Sequence, residues 1–112
     1  YLEAPSSNTF EVLDVKTVIN AIRKKSNEIG HEIAILFDNT WAGPLYFRTF
    51  EYDIDVEIQA ATKYVVGHSD AMLGIVACNE KTYLKIRKEI QNISIFKNHH
   101  HLVFYYYLSS LF

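Results

Sequence analysis

Asp38 and Lys63 are the residues of this chain whose type and setting bear most on chemistry. Asp38 closes the apolar run Ile33-Ala34-Ile35-Leu36-Phe37, and Lys63 sits among small residues in Ala60-Ala61-Thr62-Lys63-Tyr64. A carboxylate just past a buried strand faces the crevice where α/β proteins bind ligands. Its rival role is local, an Asx turn or helix cap that ends the strand. Lys63 taken alone reads as a solvated charge, the usual state of a lysine in a polar loop. His68, Ser69 and Asp70 are the residue types of a hydrolytic triad, but three adjacent residues cannot converge on one reacting atom. They are expected to brace their loop through side-chain bonds to backbone. His99, His100 and His101 lack the i, i+4 spacing or flanking cysteines of a formed metal site, so no metal is expected.

The elements that must position these residues are readable from periodicity. After the turn Pro5-Ser6-Ser7-Asn8, Asp14 is a plausible N-cap, and Val15, Val18, Ile19 and Ile22 recur at helical spacing. This helix is expected to run to about residue 28, with Arg23, Lys24 and Lys25 toward its negative end and Gly30 stopping it. Residues 33–37 read as a strand buried on both faces, and strand–helix–strand order favours a parallel sheet with a crossover helix. Residues 40–45, with Gly43-Pro44, are expected to be irregular. Residues 54–58 alternate like a strand, residues 59–70 form a polar, small-residue connection, and residues 72–78 suggest a further strand. Asn79 can cap a helix carrying Tyr83, Ile86 and Ile90 on one face. From about residue 92 the chain crowds histidines and tyrosines with almost no charge and keeps neither a helical nor a strand period. Such a stretch is aggregation-prone if exposed.

Composition narrows the class. The 112 residues suffice for one small core, and a net charge of −2 offers no basic excess for nucleic acid. The single cysteine, Cys78, cannot form an internal disulfide, which favours a reducing, cytoplasmic setting. The apolar stretch 102–112 is far short of the roughly 20 residues needed to cross a bilayer, so no membrane association is expected. Tyr1-Leu2-Glu3-Ala4-Pro5 reads as a strand end entering a turn, as though the chain began inside something larger.

The wording of the segment goes further. Asp38-Asn39-Thr40-Trp41, Gln59-Ala60-Ala61-Thr62-Lys63-Tyr64 and Gly67-His68-Ser69-Asp70-Ala71-Met72 closely resemble the cofactor-binding region of the cystathionine β-lyases, within the Cys/Met metabolism family of pyridoxal-phosphate enzymes. Glu3-Ala4-Pro5 resembles that family's E-S-P motif, with Ala4 in place of serine. The resemblance covers residues 1–91, which it identifies as part of the large cofactor-binding domain of a fold-type I enzyme, α/β, with a mostly parallel sheet and flanking helices. Residues 92–112 depart from the family and are expected to lie outside its fold.

By this resemblance Lys63 is the catalytic lysine that forms the Schiff base with pyridoxal 5'-phosphate, Asp38 pairs with the pyridine nitrogen, and Thr62 contacts the phosphate. Such a lysine must lose its proton readily, which partial burial and nearby positive charge can arrange. Ala60 stands where many relatives place a serine on the phosphate, so that hydroxyl is absent. Trp41 is expected to pack near the site. The implied reaction is β-elimination of cystathionine to homocysteine, pyruvate and ammonia, a step of trans-sulfuration in methionine biosynthesis, by an enzyme whose full-length relatives are homo-oligomers, tetramers by expectation. A γ-lyase, γ-synthase or cysteine desulfhydrase would use the same lysine and aspartate, and a non-catalytic remnant is the alternative outside enzymes. The family's upstream phosphate loop and ring-stacking tyrosine, and its C-terminal arginine, cannot be located in these residues. A fragment with little or no activity of its own is therefore expected.

Overall fold

In the computed structural model, which describes residues 1–92 and 102–106, the first helix forms where a carboxylate can satisfy its unpaired amides. Helix α1 (Val15–Ile29) begins at Asp14, which accepts from the Thr17 N–H at 3.1 Å and the Thr17 hydroxyl at 2.7 Å. These bonds hold the Asp14 carboxyl below its usual range. At the other end Gly30, at φ 65°, takes the left-handed conformation open to glycine and returns its N–H to Asn27. The expected span of α1 is therefore met to within a residue. Arg23 does not serve the helix end. Its guanidinium turns to Asp53, Asp55 and the carbonyl of Ile33.

The sheet runs in chain order: β1 (Leu2–Glu3), β2 (Leu36–Asp38), β3 (Val56–Gln59), β4 (Gly74–Cys78) and β5 (Leu102–Tyr106). β1 with β2, β2 with β3 and β4 with β5 are parallel, whereas β3 with β4 is antiparallel. Between the parallel β1 and β2, α1 crosses one face of the sheet. Ile19 from the helix meets Ile35, Phe37 and Ile54, with Leu2, Val15, Ile22 and Phe47 packed around them. The ring of Phe47 lies 5.1 Å from that of Phe37.

The second strand departs from expectation. It covers residues 36–38, and burial alternates, with Ile35 and Phe37 buried while Ala34 is exposed and Leu36 and Asp38 are half-buried. An unbroken apolar run thus has one buried face here, toward α1. Residues 40–45 are not wholly irregular, since Pro44 starts the short helix α2 (Gly43–Tyr46), where its missing N–H costs nothing. A 3-10 turn follows at Thr49–Tyr52.

Asn79 caps the third helix as expected, its Oδ1 accepting from the Thr82 N–H at 3.0 Å. Helix α3 (Glu80–Asn92) turns Tyr83 and Ile86 inward as half-buried residues, and the Ile90 side chain lies outside the described residues. Strand β5 was not expected in the tail. Its run Leu102-Val103-Phe104-Tyr105-Tyr106 pairs with all of β4, so β-branched and aromatic propensity prevails without an alternating pattern. The histidines 99–101 lie outside the described residues. No helix among the described residues is long and apolar enough to cross a membrane.

Candidate functional site

Because β2 and β3 are parallel and β4 returns antiparallel, the end of β2, the end of β3 and the start of β4 share one rim of the sheet. Asp38 and the segment holding Lys63 both leave from that rim.

Asp38 is half-buried, and its two carboxylate oxygens have different duties. Oδ1 accepts from the Thr40 N–H at 3.0 Å and the Thr40 hydroxyl at 2.6 Å, the Asx turn that was the local alternative. Oδ2 accepts from the Tyr1 phenol at 2.9 Å. That phenol is pushed up to about 12 by desolvation, by its bond to Asp38 and by the nearby negative charge. Asp38 thus ends its strand with one oxygen and offers the other to a donor from elsewhere.

Lys63 sits in a succession of turns. Its N–H donates to the Ala60 carbonyl at 3.0 Å, and its own carbonyl accepts from the Gly67 N–H at 3.0 Å. Gly67 is at φ 71°, a conformation that strains any residue with a Cβ. The Lys63 side chain is exposed, so the partial burial expected around its amine is not supplied by the described residues. Thr62 closes the neck of this loop against Leu73. Its N–H and hydroxyl both donate to the Leu73 carbonyl, at 2.9 and 3.1 Å, and its oxygen accepts the Leu73 N–H at 2.8 Å. The Thr62 hydroxyl proton is therefore engaged within the loop.

An open cleft of about 480 Å³ lies against this loop, lined by Thr62, Lys63, Gly67, His68 and residues 69–72. Asp38 is outside that lining and connects to the loop through Thr40, whose oxygen accepts the Ala60 N–H at 2.8 Å. Of the three polar residues at 68–70, His68 braces the loop as expected, with Nδ1 3.0 Å from the Val66 carbonyl. Trp41 packs edge-on against Phe10 with ring centroids 5.8 Å apart.

Sequence reasoning passed over three polar residues. Thr40 joins Asp38 to the lysine loop, and its place two residues after Asp38 was the available signal. Asp55 is buried on the route from α1 to α3: its carboxylate accepts from the Ile35 N–H at 2.7 Å, Arg23 at 2.9 Å and the Asn79 amide at 3.0 Å. Glu57 is buried on β3 and accepts from the Thr49 hydroxyl and the Gln59 amide. Acidic residues at alternate positions of an apolar strand were the sign that each needs a buried partner.

The family model for Cys/Met metabolism PLP-dependent enzymes matches residues 1–99. The chain belongs to that family. Among curated members, cystathionine β-lyase of Haemophilus influenzae is 46% identical over 88 residues, which are 79% of this chain and 21% of that one. Cystathionine γ-lyase of Saccharomyces cerevisiae is 32% identical over 92 residues, 82% of this chain and 23% of that one. A crystal structure of cystathionine γ-lyase from Lactobacillus plantarum, complexed with L-serine, superposes with a TM-score of 0.54 at 26% identity, over 66% of this chain and 18% of that one. The chain thus spans about a fifth of the length of the curated relatives it matches. The α/β fold expected from the family motifs, a mostly parallel sheet with flanking helices from a fold-type I enzyme, is the fold observed. The residue types that the family's pyridoxal phosphate calls for are present: an amine among the cleft-lining residues, Lys63, and a carboxylate, Asp38, that lies outside that lining with Oδ2 accepting from Tyr1. Thr62 fits a phosphate only once its hydroxyl is released from Leu73.

Proposed function

We propose that this chain is the cofactor-binding segment of a pyridoxal-phosphate-dependent carbon–sulfur β-lyase that cleaves cystathionine to homocysteine, pyruvate and ammonia. The observation that carries the reading is the shared rim of β2 and β3. It gives one end of the sheet a carboxylate, Asp38, and an amine, Lys63, in a family whose chemistry calls for that pair. The β-lyase branch draws support from the gap between 46% identity to a β-lyase and 32% to a γ-lyase.

Bound pyridoxal phosphate supplies the electron sink that lets the α-carbon of an amino acid lose its proton. Lys63 would hold the cofactor covalently through Nζ, and its amine is the group that would take the α-proton of the substrate. Asp38 Oδ2, once the Tyr1 phenol yields it, would keep the ring nitrogen protonated, and Thr40 fixes the carboxylate by holding Oδ1. Thr62 would contribute a hydroxyl to the phosphate after leaving Leu73. The reading places the work in the cytoplasm, within a methionine-forming route, in a homo-oligomer completed by residues beyond these.

Incubation of the chain with pyridoxal phosphate, borohydride reduction and peptide mapping tests the cofactor role, and the expected adduct is at Lys63. A folded sample with no adduct there would overturn it. For the branch, a full-length version given cystathionine should release homocysteine and pyruvate. Release of cysteine and 2-oxobutyrate would instead establish the γ-lyase reading, which the yeast relative keeps in view.

A further inference from the structure

A continuous line of polar contacts joins the two ends of the candidate site, and it passes through one hydroxyl. The Thr40 hydroxyl donates to Asp38 Oδ1 at 2.6 Å and accepts the Ala60 N–H at 2.8 Å. Ala60 lies one residue past the β3–β4 ladder, where pairing between Gln59 and Ile75 is the last rung. Its carbonyl in turn accepts the Lys63 N–H at 3.0 Å. The peptide groups on either side of Ala60 are thus held from opposite directions, by Thr40 behind and Lys63 ahead. Thr40 is 8% exposed, so solvent is poorly placed to replace either bond.

We propose that Thr40 is a positioning residue that sets the lysine turn relative to the Asp38 carboxylate, so that both are aligned before any cofactor arrives. A hydroxyl has one proton to give, and giving it to a carboxylate makes a strong, short bond and leaves the oxygen a better acceptor. The Asp38 charge is therefore felt at the Ala60 amide, and the strength of one bond depends on the other. The β2–β3 ladder supports the same alignment, since the Asn39 N–H donates to the Ile58 carbonyl at 2.8 Å, but that contact ends before the turn begins. Among the described residues, Thr40 supplies the side chain that bridges Asp38 to the turn. The catalytic meaning of this alignment rests on the cofactor role proposed above, whereas the coupling itself does not.

The experiment compares the chain with its T40V and T40S variants, using valine to keep the shape and serine to restore the hydroxyl. Amide hydrogen exchange at Ala60, without cofactor, reads the coupling directly. Pyridoxal phosphate affinity, followed by the visible absorption of the Lys63 adduct, reads its consequence. We expect Ala60 to exchange about tenfold faster in T40V and to return near the parent rate in T40S, with affinity falling and recovering in parallel. Unchanged Ala60 exchange in T40V would overturn the coupling. Faster exchange with unaltered affinity would overturn the positioning role. An absent adduct in the folded parent would overturn the cofactor reading while the exchange rates still decide the coupling, so the two failures are distinguishable.

Discussion

The Tyr1 phenol donates to Asp38 Oδ2 at 2.9 Å, occupying the oxygen that a protonated pyridine nitrogen would need. Its titration, pushed up to about 12, carries a sign that can be checked. A group that holds its proton more tightly when folded adds stability fully present below its unfolded pKa of about 10, and this is lost as pH rises through the folded value. Ultraviolet titration should therefore show the Tyr1 phenol as a late phase, and D38N should return it toward the ordinary tyrosine range. A late phenol that persists in D38N would show that Asp38 is not a cause.

Thr62 and Leu73 close the lysine loop with three bonds, two of which need the Thr62 hydroxyl. Substitution T62V leaves one of them. At about 1 kcal/mol for the hydroxyl's net contribution, loop opening should increase on the order of fivefold. Limited trypsin digestion after Lys63 should accelerate accordingly, with T62S close to the parent.

Asp55 is 3% exposed and relies on Arg23 for its countercharge. Removing one partner leaves a buried charge uncompensated, so R23M should lower unfolding free energy by about 3 kcal/mol in urea titration. The double substitution R23M with D55N should cost less than the sum of the single ones. Simple additivity would show that the pair is not coupled.

Cys78 is 2% exposed, and burial pushes its thiol up, against the lowering influence of Thr82. A thiol that resists ionisation and access reacts slowly, so labelling by a disulfide reagent at pH 8 should be on the order of 100-fold slower in the native chain than in denaturant. Comparable rates would mean that β4 opens readily at its end.

Much of this architecture was legible because local signals agreed. Asp14, Gly30 and Asn79 are caps whose chemistry does not depend on the rest of the fold, and helices α1 and α3 start or stop where they stand. Asp38 was singled out from its place after a strand, and the structure adds that its two oxygens divide between the Thr40 turn and the Tyr1 phenol. What escaped was set by partners distant in sequence. The strand at residues 33–37 read as buried on both faces because an apolar run does not state how many of its faces are covered. Strand β5 drew its place from β4, and Thr40 drew its importance from Ala60, twenty residues away. The Thr62 hydroxyl, expected by resemblance to contact a phosphate, is also bonded to Leu73, a contact that no motif encodes.

The reversal at β3 and β4 has a consequence for how the sheet assembles. These strands meet by closing residues 60–73, which contain Lys63 and are clasped by Thr62, whereas pairing β1 with β2 closes a longer stretch that includes the whole of α1. Contacts close in sequence lose less chain entropy on forming, so the hairpin is favoured to zip first and the crossover to follow. The lysine loop would then be among the first parts of the molecule to take shape, and the part that waits on the crossover is β1 rather than the aspartate strand, which pairs with β3 directly.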